Sequence, residues 1–270
     1  MDVIGYDYQG DKQEHGKGCY EMKLRENLCE PESARHRKII CQEEVLEFCV
    51  SAERNCQKRY LIVIGQKKVE LSDNVSELVG IIFGDGNIWT NNRKYEVTIT
   101  AGVNDRDYFD KICQKLKSAN LNTYERKRGR GLRVTVYSKA LFTFLVHDLG
   151  VGWGRDKSRS PIPKAIIEKK QCLSFVRGVF DTDGSVFTSK KRGICEYPSI
   201  EITNKNTLML SNIEGILRSY GFRSTLRSCK DGTNKLSLYG RENVKRWNLL
   251  IGSSHPRKKS KMEAIIKTYS

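Results

Sequence analysis

Apolar positions along residues 72–150 alternate between two periods. Leu78, Val79, Ile81, Ile82 and Phe83 predict a buried helix that starts at Ser72-Asp73 or Ser76 and stops at Asp85-Gly86-Asn87. The period then falls to two. Tyr95, Val97 and Ile99 alternate with Glu96, Thr98 and Thr100, which predicts a strand returning from Ile88–Asn91 through a turn at Asn91-Asn92-Arg93. Phe109, Ile112, Cys113 and Leu116 restore helical spacing over about Asp105 to Ala119. A second hairpin follows, Thr123 to Ser138, turning at Arg128-Gly129-Arg130-Gly131, and then a helix from Lys139 to Leu149 that ends at Gly150.

The same order recurs. Val176-Arg177-Gly178-Val179-Phe180-Asp181-Thr182-Asp183-Gly184 lies 98 residues after Leu78 to Gly86. Val97-Thr98-Ile99-Thr100 matches Ile200-Glu201-Ile202-Thr203 at an offset of 103, and Val134 to Ser138 matches Leu236 to Gly240 at 102. An insertion of about five residues in the hairpin Thr188 to Pro198 accounts for the shift. A match kept in order over this length implies an internal duplication. The fold class is therefore α+β, with the order αββαββα present twice.

The repeated helix is unusual. Gly80 with Gly84, and Gly178 with Thr182, stand four apart on one face, where small residues let two backbones approach closely. Each copy ends on a carboxylate, Asp85 or Asp183, at the negative end of the helix dipole. Two such helices side by side bring like charges together, an arrangement that calls for a cation.

Charge narrows the partner. The formal net charge is +16, but residues 1–76 hold 12 Lys+Arg against 14 Asp+Glu, so the whole basic excess belongs to residues 77–270. Such an excess points to a polyanion, of which nucleic acid is the commonest. No apolar run approaches the length of a membrane span, and Met1 to Gly16 has no signal-peptide character, so an intracellular DNA compartment such as the cytoplasm or nucleoid is expected rather than secretion. Cysteines 19, 29, 41, 49 and 56 form no C-x-x-C pair, which argues for reduced thiols over a structural zinc site. Residues 19–60 show helical periodicity, Tyr60 to Gly65 a strand or buried connector, and Gln66 to Asn74 a linker. Residues 1–70 are thus expected to be a mainly helical extension, packed on a first domain at 71–168 and a second at 169–270.

Two correctly spaced Asp-Gly helices in this order resemble the single-chain, two-motif LAGLIDADG homing endonucleases of introns over about residues 72–268. Phe175 to Ser185 is very like the family's second motif, and His255-Pro256-Arg257-Lys258-Lys259 resembles its C-terminal basic segment. The first copy departs in carrying Phe83 where the motif's first Asp would stand. The resemblance implies pseudo-twofold domains that each lay a saddle-shaped antiparallel sheet on double-stranded DNA. It implies a monomer that hydrolyses both strands, with two or more divalent ions, Mg²⁺ by preference, held by Asp85 and Asp183 with Gly84 and Thr182. Lys157 and Lys258 occupy matching places after each domain's last helix and are candidate catalytic residues that support the hydrolytic water network and the developing charge, with Lys259 and Lys261 as competitors for the second place. The candidate DNA-facing residues in the first half are Trp89, Asn91, Arg93, Lys94, Glu96, Thr98, Arg126, Arg128, Arg130 and Arg133. Those in the second are Thr188, Lys190, Lys191, Arg192, Glu201, Thr203, Arg227, Lys230 and Lys235. The same fold also serves intron RNA maturases and DNA-binding regulators that do not cut; retention of both aspartates argues against the latter.

Overall fold

The computed structural model describes residues 61–64, 67–91, 93–168, 171–191 and 193–268. A short hairpin comes first, β1 (Leu61–Ile64) antiparallel to β2 (Lys67–Glu70). The expected linker 66–74 is therefore mostly strand β2 and the start of the next helix. The expected helical stretch 19–60 and its five cysteines lie outside the described residues.

Helix α1 (Asp73–Asp85) begins at Ser72, whose hydroxyl accepts the Val75 N–H at 3.4 Å and satisfies one orphan donor of the first turn. It leads directly into β3 (Gly86–Asn91) and β4 (Lys94–Gly102), then α2 (Arg106–Ser118), β5 (Thr123–Arg128), β6 (Gly131–Tyr137) and the short α3 (Lys139–Thr143). The predicted helix to Leu149 is instead α3 followed by a wider π-type turn at Phe144–Asp148, closed by Gly150 in the left-handed region at φ 67°. After a 3₁₀ turn at Gly154–Arg159 and α4 (Lys164–Ile167), the second half begins with α5 (Cys172–Asp183). It continues through β7 (Gly184–Lys191), β8 (Ile194–Asn204), α6 (Thr207–Ser219), β9 (Ser224–Ser228), β10 (Asn234–Tyr239) and α7 (Arg241–Leu250). Helix α8 (Pro256–Lys267) closes the described chain.

Each half builds a four-stranded antiparallel sheet of the same order, β3-β4-β6-β5 and β7-β8-β10-β9. Register fixes the faces, because alternate residues point to opposite sides. Ile88, Val97, Ile99, Val134 and Val136 turn inward against Phe109, Ile112 and Leu116 of α2. Val186, Ile200, Ile202, Leu236 and Leu238 do the same against Met209, Leu210, Ile213 and Leu217 of α6 and Trp247 of α7. The five-residue insertion is no loop: it lengthens both strands of the hairpin, to 8 and 11 residues from 6 and 9, with an irregularity between Ser189 and Lys191.

The halves meet along α1 and α5. A Cβ on Gly80 would overlap the Phe175 carbonyl oxygen, one on Gly178 would overlap the Glu77 carbonyl oxygen, and one on Gly84 would overlap Thr182 Oγ1. The small residues are thus the contact surface, and Phe83 fills the space beside it, edge-on to Phe175 at 5.2 Å between ring centres.

Candidate active site and nucleic-acid interface

Close packing of α1 on α5 brings both helix C-termini to one place. Asp183 Oδ2 lies 3.0 Å from where a Cβ on Gly84 would stand, so the second acid sits against the end of the first helix. Burial pushes the Asp183 carboxyl up to about 6; the Asn204 side-chain amide, donating to it at 2.6 Å, and the two lysines oppose that, while Asp85 adds repulsion. Asp85 keeps solvent at its tip, yet the packed helix ends strip enough water to raise its pKa too, against the pull of Lys258 and Lys157.

The two lysines are placed alike. Lys157 Nζ donates to the carbonyls of Ile82 at 2.8 Å and Gly84 at 3.2 Å, and to that of Gly86. Lys258 Nζ donates to the carbonyls of Phe180 and Asp181 at 2.8 Å and of Thr182 at 3.3 Å. Each ammonium caps the last turn of a helix, where orphan carbonyls and the dipole attract a cation. Burial brings both down to about 8, against the holding effect of Asp183 and Asp85 on Lys157, and of Asp181, Asp183 and Asp85 on Lys258. Lys259 and Lys261 are exposed on α8 and make no such contact.

The donors at the helix ends are all oxygens. The Thr182 hydroxyl is spent on its own helix, donating to Val179 O at 2.9 Å and Gly178 O at 3.3 Å, so Thr182 and Gly84 offer their carbonyls only. Two raised carboxyls with backbone oxygens beside them suit a hard divalent cation. Among the described residues no cluster of three or more His, Cys, Asp or Glu could hold a metal by itself.

Both sheets leave directly from the acids, β3 at Gly86 and β7 at Gly184. In the first, the register puts Trp89, Asn91, Lys94, Glu96, Thr98, Arg126, Arg128 and Arg133 on the face away from the core, with Arg93 and Arg130 in the exposed turns. Asn87, Thr100, Tyr124, Thr135 and Tyr137 share that face and follow from the same alternation. Thr98 is buried in the middle of it, donating to Glu96 Oε1 at 2.7 Å beside Thr135, because neighbouring side chains cover a small residue at the sheet centre; it is not open to a ligand in this state.

In the second sheet Glu201, Thr203, Arg227 and Lys235 share the outer face, where Glu201 accepts from Lys235 at 2.8 Å and Ser237 at 3.1 Å. Thr188 is misassigned by residue type alone: paired with Pro198 and in step with Val186, it belongs to the core-side face, beyond the end of the core. Lys190 is exposed at the strand irregularity, Lys230 in the β9–β10 turn, and Lys191 Nζ sits over the rings of Tyr197 and Tyr239 at 3.9 and 4.8 Å. Arg192 lies outside the described residues.

Several site neighbours escape a reading by motif. Asn204 is a polar residue on the inward face of β8, after Ile200 and Ile202, and that break in the apolar pattern is its one signal. Asp181 is buried and pushed by burial up to about 6, despite accepting from Ser253 Oγ and from the Ser254 N–H at 2.8 Å; it holds the turn before α8. Glu77, also buried, takes Arg177 across the interface at 2.8 Å and Lys115 at 3.3 Å.

Residues 170–252 match the model of the LAGLIDADG-like domain. The homing endonuclease I-ApeI of Aeropyrum pernix is 27% identical over 198 residues, covering 70% of this chain and 85% of that protein. Residues 170–252 thus form a LAGLIDADG-like domain. The uncharacterized protein MJ0398 of Methanocaldococcus jannaschii is 23% identical over 85% of this chain and 83% of its own length. A DNA polymerase of Thermococcus hydrothermalis is 29% identical over 157 residues, and the chain spans only 9% of it. The solved structure of the homing endonuclease I-WcaI bound to its DNA recognition sequence has a TM-score of 0.51 at 13% identity, over 73% of this chain and 87% of that one, and shows the fold to be shared.

Proposed function

We propose that the chain is a site-specific double-strand DNA endonuclease, with one domain at 71–168, a second at 169–270, and the paired helix-end acids as its centre. The observation that carries this reading is the convergence of Asp85, Asp183, Lys157 and Lys258 where α1 and α5 end, between two sheets whose outer faces are polar and basic. The similarity to I-ApeI and to I-WcaI supports the same class of reaction.

Asp85 and Asp183, with the carbonyls of Gly84 and Thr182, would hold Mg²⁺ ions. Bound there, divalent ions supply charge that polarises the scissile phosphates. The chain's own residues do the rest. The outer sheet faces hold the duplex, with Arg and Lys on phosphates and guanine edges and Asn on adenine. Lys157 and Lys258, with values near 8, stay largely protonated at neutral pH and set positive charge where the phosphate becomes more negative. Each cut adds water across one P–O bond, one per strand.

The test is cleavage of a plasmid library of candidate insertion sites. The expected result is linear product with Mg²⁺ and none with EDTA; absence of any cutting overturns the reading. Asp85→Asn and Asp183→Asn should each lose at least about 100-fold in double-strand cleavage while DNA affinity stays within severalfold. Affinity should also fall steeply with salt, because phosphate contacts release counterions.

A further inference from the structure

The two lysines reach the helix ends on loops that each half holds only in part. Lys157 belongs to the first half, in the turn Gly154–Arg159. Its loop is tied down by Asn206 of the second half, whose Nδ2 donates to the carbonyls of Lys157 at 3.3 Å and Ser160 at 2.8 Å. Asn206 is buried and also caps α6, accepting from the Met209 N–H at 3.0 Å. Lys258 belongs to the second half, in the first turn of α8. That turn meets Asp105 of the first half, whose Oδ1 lies 3.2 Å from His255 Nε2 and 3.1 Å from Arg257 and whose Oδ2 accepts from Arg257 at 3.5 Å. Tyr108 stacks on His255 at 4.6 Å, and Lys111 Nζ donates to Ser254 O at 3.1 Å.

Asp105 and Asn206 hold the same place in the duplicated fold, the residue before α2 and the residue before α6. We propose that Asp105 and Asn206 are exchanged positioning residues, each setting the lysine of the opposite half, so that Lys258 depends on the first half and Lys157 on the second.

The physical ground is the length of the lysine side chain. A four-carbon stem swings freely unless the backbone beneath it is fixed, and these ammoniums must stay within hydrogen-bond reach of three carbonyls each. Nearby loop residues do not suffice. Ser160 Oγ takes the Gly152 N–H at 2.7 Å, which closes the loop on itself but ties it to nothing outside. The cross-half bonds from Asn206 anchor it to a second element outside the loop. Each lysine is then placed in part by the opposite half.

The proposal rests on the endonuclease reading for its strand-resolved consequence, and on the structure alone for lysine placement. Asp105→Ala should slow the cut in one strand by about 10- to 100-fold, and Asn206→Ala the cut in the other, as expected when a reacting group moves by about 1 Å. On a duplex labelled at both ends, the two variants should accumulate nicks in opposite strands. Asp105→Asn keeps an acceptor for His255 and Arg257 and should recover most of the rate. Arg257→Met removes one partner without touching α2 and should give the Asp105→Ala bias in weaker form, should that variant fail to fold.

A second readout needs no cleavage. Under limited amine acylation followed by peptide mass mapping, Asp105→Ala should raise modification of Lys258 and leave Lys157 protected, and Asn206→Ala should do the reverse. Equal slowing of both strands, or joint exposure of both lysines, would mean general loosening and would overturn the proposal, as would no change in either readout. Selective lysine exposure in a protein whose wild type cuts no DNA would leave the positioning in place and sink the endonuclease reading.

Discussion

In the first half Asp85 stands open to solvent, and the matching place on the neighbouring strand is Ala101, which offers no donor. In the second half Asn204 occupies that place and fixes Asp183 at 2.6 Å. The halves differ in the same way along the helices. Glu77 of α1 collects two cations, where α5 has the buried Phe175; α5 has the buried acid Asp181, where α1 has Phe83. What the halves share is backbone geometry: a glycine against the facing carbonyl, and a lysine over the last carbonyls. Duplication thus preserved the contacts that set the distance and direction of the two helix ends. It let the side chains around each acid diverge.

That contrast can be broken most sharply at the shared glycines. Gly80→Leu and Gly178→Leu should both fail to fold cooperatively in a thermal melt: overpacking costs about 1–3 kcal/mol where the surroundings can shift, and here the added atoms meet backbone that cannot yield, so the loss exceeds that range. If one position tolerates leucine, the two approaches are not equivalent. Glu77→Gln should come next. It leaves Arg177 and Lys115 facing a neutral group in a buried site and should lower stability by about 3–5 kcal/mol, read by denaturant titration.

A smaller effect belongs to the acid that is held. Asn204→Ala should weaken Mg²⁺ binding by about 10-fold, the usual range for losing a group that orients a metal ligand, measured by calorimetry on the protein alone. Introducing Ala101→Asn should then tighten it modestly. If neither substitution changes affinity, the asymmetry between the acids has no bearing on the cation.

The smallest effect is in pH. Asp183 is raised to about 6 from an ordinary value near 3.9, so the folded protein without metal binds more protons than the unfolded chain between about pH 4 and 6. The contribution of this group to stability is present below that window and is lost as pH rises through 6. Asp183→Asn should flatten that part of the profile of melting temperature against pH. The matching effect of Asp85→Asn should be weaker, because Asp85 keeps more solvent. Cation binding should weaken in the opposite sense, as pH falls through about 6 and the carboxyl takes up a proton.

The sequence by itself determined the repeated order of elements, the face on which Gly80, Gly84, Gly178 and Thr182 lie, and the arrival of Asp85 and Asp183 at helix ends. These follow from local period and from terminal residues, and burial enforces both over a few residues of chain. It also located most of the outer sheet face, Thr98 included; it failed at Thr188, where side-chain type was used in place of register, and it did not show that neighbours cover Thr98. Only the tertiary structure decided that Lys258, rather than Lys259 or Lys261, faces the carbonyls of α5, because that depends on the path of the turn before α8 and on the rotation of its first residues. It alone paired Asn206 with the Lys157 loop and Asp105 with His255 and Arg257. Those partners lie between 46 and 152 residues apart in the chain, and no period or cap connects them. Their meeting is a product of two halves docked through their glycines.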